Sequence, residues 1–256
     1  MDIFDTHVHY DDVAFDSDRD ELLASMPKNN VKYIINQGTD VETSRFSVSL
    51  SEKYPYIYAA VGIHPEDVDK KESVNDIREL AKHKKVVAIG EIGLDYHYDN
   101  TNKELQLNYF KEQLGLANDV DLPVVIHDRD AHKDTLDTLK SIKIKNTGVI
   151  HCFSGSLEMA KELIKLGYYL GFDGPITFKN AKTAIDVLQY TPVDRILIET
   201  DSPYLTPVPF RGKRNNSMYL VHVINKIAEI KGLLPEEIAK ATMDNAKTLF
   251  KIPDCK

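Results

Sequence analysis

Tryptophan is absent from the 256-residue sequence, and cysteine is nearly so, with only Cys152 and Cys255. Two cysteines this far apart imply no disulfide framework, so a reducing compartment fits and we expect a cytoplasmic protein. No hydrophobic run is long enough to span a membrane, and Asp2 and Asp5 occupy positions where a signal peptide needs positive charge. The net charge of −8 argues against a broad basic surface for nucleic acid, although a bound metal ion would still attract a phosphate locally. We expect no membrane partner, and no obligate protein partner is evident.

The chain contains eight short hydrophobic runs that alternate with amphipathic segments. Runs of this length that are hydrophobic on both faces are typical of parallel strands buried in a sheet. The segments between them supply the crossover helices that parallel strands require. Eight such units, with no glycine-rich phosphate loop after the first run, predict an α/β fold of the (β/α)8 TIM-like barrel type, in one domain spanning residues 1–256. The predicted strands are residues 3–9, 31–38, 57–64, 86–95, 122–128, 147–155, 168–174 and 195–201.

Capping residues predict where several helices begin and end. Ser17 is the expected N-cap of the first helix, and Ser156 and Gly167 stand at the two ends of a later amphipathic helix. Pro235 lies in the first turn expected for the C-terminal helix.

Histidine and acidic residues concentrate at the carboxyl ends of the predicted strands. In a (β/α)8 barrel these ends meet at one face, which carries the active site. Because side chains alternate along a strand, His7 and His9 point to the same side. Imidazole and carboxylate groups together suit divalent ions, and six of them suffice for two ions that share a carboxylate. We therefore predict two divalent ions, chosen from Mg, Mn, Zn, Fe or Ni, and six metal ligands, namely His7, His9, Glu91, His127, His151 and Asp201.

Simpler explanations exist for single members of this set. His127 alone would fit a satisfied core histidine, and Asp201 would cap the turn formed by "DSPY". Cys152 lies beside His151, but alternation points its thiol the other way, which favours a structural role.

Four further residues are predicted to bind substrate. His64 is pushed into extended geometry by the proline after it and is either a ligand or a donor to phosphate. Arg129 shares a face with the histidine two residues before it and either neutralises a substrate anion or pairs with a neighbouring aspartate. Arg211 and Lys213 follow the last strand, where a basic run is either a solvated surface or a contact to the phosphate backbone.

The motifs as a set resemble those of the TatD-type metal-dependent hydrolases in the amidohydrolase superfamily. They occur in the family's order as "DTHVH", "VGIHP", "GEIGLDY", "VIHDRDA", "HCFSGS", "GPITFKNA", "IETDSPYL" and "RGKRN". The resemblance implies a barrel of the metallo-dependent hydrolase type and a divalent-metal phosphodiesterase activity on DNA, often exonucleolytic from the 3′ end. It assigns His7, His9 and Asp201 to the first ion. It assigns His127 and His151 to the second ion, with Glu91 as the bridging carboxylate.

The chain departs from the family pattern in two places. Asn216 and Ser217 stand where the family more often has Glu-Pro, and Asp173 stands where small residues are commoner. Both places lie in predicted substrate loops, so we expect them to affect substrate preference more than chemistry.

The predicted function is hydrolysis of DNA by a metal-activated water, with Asp201 and Glu91 as catalytic carboxylates and nucleic acid (DNA, or else RNA or tRNA) as the partner. Deacylation of aminoacyl-tRNA, an ester reaction tied to related members of the family, remains an alternative. Superfamily members that cleave cyclic amides, carbamates or phosphotriesters often use a carboxylated lysine at strand four, where this chain has Glu91. A barrel that only binds a protein would have no need for six converging ligands.

Overall fold

The computed structural model describes residues 1–253, so Cys255 lies outside the described residues. Each predicted strand run overlaps an observed strand, and the prediction of an eight-stranded α/β barrel is confirmed. All neighbouring strands are parallel, and their order in the sheet follows the sequence. The strands are β1 (Ile3–Val8), β2 (Val31–Gln37), β3 (Ile57–Val61), β4 (Val86–Asp95), β5 (Val124–Arg129), β6 (Gly148–Ile150), β7 (Tyr169–Phe172) and β8 (Ile196–Ile198).

The barrel is nearly closed between β8 and β1, and the closing contacts lie next to the predicted ligands. Val8 forms a parallel bridge with Ser202, just beyond the end of β8. The Asp201 N–H donates to the His7 carbonyl at 2.9 Å, and the His9 N–H donates to the Ser202 carbonyl at 2.8 Å. Closure therefore brings the first and last strand ends together, although they are almost 200 residues apart in sequence.

Helices fill the connections between strands, and two more follow the last strand. None of the helices within residues 1–253 has the length and apolar character needed to cross a bilayer. The helices are α1 (Arg19–Ser25), α2 (Val41–Lys53), α3 (Val74–Leu80), α4 (Lys103–Val120), α5 (His132–Ser141), α6 (Leu157–Lys165), α7 (Lys182–Tyr190), α8 (Leu220–Lys231) and α9 (Pro235–Phe250).

Three of the four predicted helix boundaries are confirmed and one is wrong. Gly167 follows the C-cap of α6 with a positive φ of 92°. The Ser156 hydroxyl accepts the Met159 N–H at 3.2 Å and caps α6, and Pro235 is the first residue of α9. Ser17, however, does not cap α1, because Asp18 occupies that position. The segment before α1 first makes a 3-10 turn that buries Phe15 completely, so the chain is still turning at Ser17.

A cluster of buried side chains fills the barrel interior, since every one of the eight strands contributes to it. Its strand members are Phe4, Tyr33, Ile35, Ala60, Val87, Ala88, Val125, Val149, Tyr169 and Leu197. Met243, Phe250 and other apolar residues of α9 pack against the same cluster. Helix α9 also contacts the start of β8, because Asn245 Nδ2 donates to the Ile196 carbonyl at 2.8 Å. The amino-terminal end of the barrel is therefore sealed, which leaves the carboxyl-terminal face for the site.

Candidate metal centre

Glu91 lies at the centre of the predicted ligand set, deep in the barrel and almost fully buried. Its Oε2 atom is 3.2 Å from His7 Nε2 and 3.5 Å from His9 Nε2. Asp201 Oδ1 approaches the same two nitrogens, at 3.6 Å and 3.5 Å. We call this group site one; it consists of His7, His9, Asp201 and the Oε2 side of Glu91.

The other oxygen of Glu91 faces a second group of imidazoles. Glu91 Oε1 is 2.9 Å from His127 Nδ1 and 2.8 Å from His151 Nε2. His64 Nε2 is also near, at 3.5 Å from the same oxygen. We call this group site two; it consists of His127, His151, His64 and the Oε1 side of Glu91. The six predicted ligands thus converge at one place, and His64 joins them.

The spacing of these atoms fits bound divalent ions. Ligand atoms held about 2.1 Å from one tetrahedral ion are roughly 3.4 Å apart. His7 Nε2 is 3.1 Å from His9 Nε2, and His127 Nδ1 is 3.2 Å from His151 Nε2. Imidazole nitrogens this close must share a proton or a cation, because two bare lone pairs repel each other. The donor set of nitrogen and carboxylate oxygen is the one expected for Zn, Fe, Mn or Ni.

The carboxylates and imidazoles of the centre shift each other's pKa values. Burial acts to raise the pKa of Glu91, but the imidazoles of His151 and His7 outweigh it and hold this pKa well below its usual range. Burial acts to lower the pKa of His9, but the hydrogen bond to Asp201 and the charge of Glu91 raise it to about 9. The carboxylates likewise raise the pKa values of His127 and His151, whereas burial and the charge of His151 lower the pKa of His7. A divalent cation would replace the protons held on the raised imidazoles when it binds.

Two buried carboxylates outside the predicted set contact the outer nitrogens of the site-two histidines. Asp95 Oδ2 is 2.8 Å from His127 Nε2, and Glu199 Oε1 is 3.5 Å from His151 Nδ1. Glu199 is completely buried and Asp95 nearly so. A carboxylate behind a metal-binding histidine selects its tautomer and makes its inner nitrogen a better ligand. We assign this orienting role to Asp95 and Glu199.

Sequence reasoning missed both carboxylates, although a weak signal exists for each. Asp95 follows Glu91 by four residues in one strand, and Glu199 precedes Asp201 by two, so strand alternation favours a shared face in each case. Gly171 is a third indication, because a Cβ added there would lie 2.6 Å from the Glu199 carboxylate oxygens. The glycine in β7 therefore leaves the space that Glu199 occupies.

The centre opens into a cavity of about 570 Å³. His64 and Arg129 both line it, as predicted for substrate-binding residues. The ion pair considered for Arg129 does not form with Asp128 or Asp130, since these two aspartates hydrogen-bond to histidines outside the centre. The nearest carboxylate to the guanidinium is instead Asp95, at 4.0 Å. Arg129 therefore has Asp95 as its ion-pair partner and also lines the cavity, where it can meet an anion.

Arg211 and Lys213 do not line this cavity; they line an adjoining groove of about 530 Å³. Asp12 and Tyr204 border both spaces and so form the boundary between them. The Arg211 guanidinium lies 4.1 Å from the centroid of the Phe178 ring. This contact directs the charge of the arginine along the groove. The four predicted substrate residues therefore occupy two neighbouring compartments.

The positions that depart from the family pattern are buried structural positions. The Ser217 hydroxyl lies 2.8 Å from the Tyr10 hydroxyl, and Asn216 accepts the Met218 N–H at 3.0 Å. Asp173 contacts the Cys152 thiol, and burial raises the pKa of that thiol well above its usual value. Within residues 1–253, neither place contributes to the wall of the metal cavity. Their side chains pack the loops instead, and the expected effect on substrate preference stays a prediction.

Comparison with known proteins identifies the family. A family model described as TatD related DNase matches residues 4–251. The chain is similar to YabD of Bacillus subtilis (strain 168), named an uncharacterized metal-dependent hydrolase, with 46% identity over 98% of this chain and 99% of that protein. It is also similar to YcfH of Escherichia coli (strain K12), which carries the same description, with 38% identity over 98% of this chain and 97% of the other. The crystal structure of YJJV, a TatD homolog from Escherichia coli K12, superposes with a TM-score of 0.93 at 36% identity and 98% coverage of both chains. The chain therefore belongs to the TatD family of metal-dependent hydrolases.

Proposed function

We propose that this hydrolase is a DNA phosphodiesterase of the 3′-5′ exonuclease type that uses two divalent ions. The proposal rests on the position of Glu91, whose two carboxylate oxygens face separate groups of imidazoles. One carboxylate shared in this way is the arrangement expected between paired ions. When bound, such ions would lower the pKa of a water molecule and neutralise charge on a phosphate. The DNase description of the family supports a phosphodiester substrate.

Asp201 is the residue best placed to accept a proton from the attacking water. Its side chain is 15% exposed to the cavity, whereas that of Glu91 is only 3% exposed. Burial acts to raise the pKa of Asp201, but the hydrogen bond from His9 outweighs it, so the carboxylate is ionised and able to act as a base. Glu91, enclosed by imidazoles, orients the ligand set instead.

The cations near the centre match a short length of substrate. Arg129 and His64 would hold the oxygens of the phosphate that is cleaved, and Arg211 and Lys213 would hold the next phosphate along the groove. Acidic side chains occupy much of the remaining cavity wall and would repel a longer polyanion. These are Asp11, Asp12, Glu66 and Asp67. We infer that the enzyme engages a chain end. Its affinity should fall with salt at a shallow slope of roughly −1.4 in log–log form, for about two neutralised phosphates of a single strand.

The decisive experiment uses purified protein stripped with chelator and reloaded separately with Mg, Mn, Zn, Fe or Ni. Oligonucleotides labelled at either the 5′ or the 3′ end report cleavage and its direction, and an aminoacyl-tRNA is tested in parallel. We expect stepwise shortening from the 3′ end with at least one metal, and a loss of about 100- to 10,000-fold in kcat for Asp201→Asn. Asp130→Asn is the matched control, since that aspartate pairs with His97 outside the centre.

Three results would contradict the proposal. One is the absence of DNA cleavage with every metal, and a second is full activity of Asp201→Asn. The third is rapid release of the amino acid from tRNA with no action on DNA, which would assign the same centre to carboxylic esters.

A further inference from the structure

Two exposed tyrosines border the metal cavity. Tyr98 is 52% exposed and Tyr204 is 55% exposed, and both line the cavity wall. Among residues 1–253, the other exposed tyrosine is Tyr190, which lies on α7 away from the centre. Single exposed aromatic residues are ordinary on a protein surface, but here two of three lie at one opening. We call Tyr98 and Tyr204 the tyrosine pair.

The pair stands on opposite sides of the metal centre. Tyr98 follows β4 and Tyr204 follows β8, and the strands are arranged in sequence order around the barrel. In a ring of eight strands, the fourth and the eighth are diametrically opposed. Glu91 belongs to β4 and Asp201 follows β8, and both line the same cavity as the two tyrosines. A phosphodiester held at the centre would therefore have one tyrosine on each side.

The backbone and hydroxyl contacts of Tyr204 hold its ring in position before any ligand arrives. The Tyr204 hydroxyl donates to Asp12 Oδ2 at 2.8 Å, and its N–H donates to the Asp201 carbonyl at 2.8 Å. Its own carbonyl accepts from Asn215 Nδ2 at 2.7 Å. A ring fixed in this way loses little conformational freedom on stacking, which favours binding.

Tyr98 is held less tightly but lies beside a cation. The Arg129 guanidinium carbon is 5.8 Å from the centroid of the Tyr98 ring. The Thr101 N–H donates to the Tyr98 carbonyl at 3.1 Å. The tyrosine and the arginine therefore offer an aromatic face and a phosphate donor side by side.

We propose that Tyr98 and Tyr204 stack on the two nucleobases that flank the phosphodiester to be cleaved. The inference rests on the proposed phosphodiesterase function and extends it to the positioning of the substrate. Tyr204 borders the groove that carries Arg211 and Lys213, so it takes the base of the retained strand. Tyr98 takes the base of the nucleotide that is released. Stacking on an aromatic side chain tolerates any base, because every base has a π-face.

The test combines tyrosine variants with substrates that lack a single base. Oligonucleotides carry an abasic residue at the 3′-terminal position, at the penultimate position, or at neither. We expect Tyr204→Leu to raise KM roughly tenfold on the intact oligonucleotide, with kcat little changed. On the oligonucleotide that lacks the penultimate base, the variant and the wild-type enzyme should have the same KM. Tyr98→Leu should behave in the same way toward the terminal base. Tyr204→Phe should retain the dependence on the base, because it keeps the ring, and Tyr190→Leu is the matched control.

Equilibrium binding separates this inference from the proposed function. The fluorescence anisotropy of a labelled oligonucleotide is measured with manganese-loaded Asp201→Asn protein, with and without each tyrosine change. A base-dependent affinity that disappears with Tyr204→Leu would support stacking, even if the wild-type enzyme cleaved no oligonucleotide. Cleavage by the wild-type enzyme with the same base dependence in all variants would overturn stacking and leave the phosphodiesterase proposal standing. Failure both to bind and to cleave would overturn both.

Discussion

The substitution Asp95→Asn tests whether the carboxylate behind His127 controls the second metal position. Asp95 accepts two hydrogen bonds, from the His97 N–H at 2.9 Å and from His127 Nε2 at 2.8 Å. Asparagine has the same shape but only one side-chain oxygen, so it accepts one of the two and presents an NH2 group to the other. If the NH2 group faces His127, the imidazole must move its proton to Nδ1. That nitrogen is the one that faces Glu91 and would bind the ion.

Loss of such an orienting carboxylate typically weakens metal binding 10- to 100-fold, or roughly 1.4 to 2.7 kcal/mol. We expect this loss at site two, with site one little changed, because His7, His9 and Asp201 have no contact with Asp95. Titration of chelator-treated protein with manganese, followed by calorimetry, would resolve the two steps. Asp128→Asn is the matched control, since Asp128 also contacts a histidine, His132 at 2.8 Å, outside the ligand set. Unchanged affinity, or an equal loss at both steps, would refute the reasoning.

Two further predictions concern stability. Manganese at about 100 times its dissociation constant should raise the free energy of unfolding by about 2.7 kcal/mol, measured by denaturant titration with and without chelator, and this gain should shrink in His7→Ala. Asp40→Ala should lower that free energy by about 1 kcal/mol, because the carboxylate caps α2 by accepting the Thr43 N–H at 2.7 Å. Burial acts to raise the pKa of Asp40, but hydrogen bonds from Lys70 and Thr43 outweigh it and lower this pKa. The ionised carboxylate therefore contributes its whole stabilisation of the folded state above the unfolded-state pKa of about 3.9. The gap between wild type and variant should therefore narrow as the pH falls below that value, and a gap that widens instead would contradict the assignment.

Strand and helix positions could be predicted because each depends on nearby residues. β4, with all ten residues buried, is apolar apart from Glu91 and Asp95, and Ser156 caps its helix through a contact three residues away. The side of the barrel that carries the site also follows from local information. Parallel strands all end at the same face, so one or two polar residues at each strand end are enough to mark it.

Contacts between side chains on different strands could not be predicted from local patterns. Asp95 and Glu199 resemble ordinary strand residues until β5 and β6 place His127 and His151 beside them. The separation of Arg211 from the metal cavity depends on where the loop after β8 folds back, which no periodicity encodes.

By itself, the sequence determined the elements, their order, the face on which the chemistry lies and the identity of the candidate ligands. The period of hydrophobic residues and the capping residues act over a few positions, so both can be identified from neighbouring residues in the sequence. Only the tertiary structure decided that the oxygens of Glu91 face two different imidazole groups, and that Tyr98 and Tyr204 stand across the opening from each other. Those relations depend on the register and closure of the whole barrel, where the position of every strand is set by all the others.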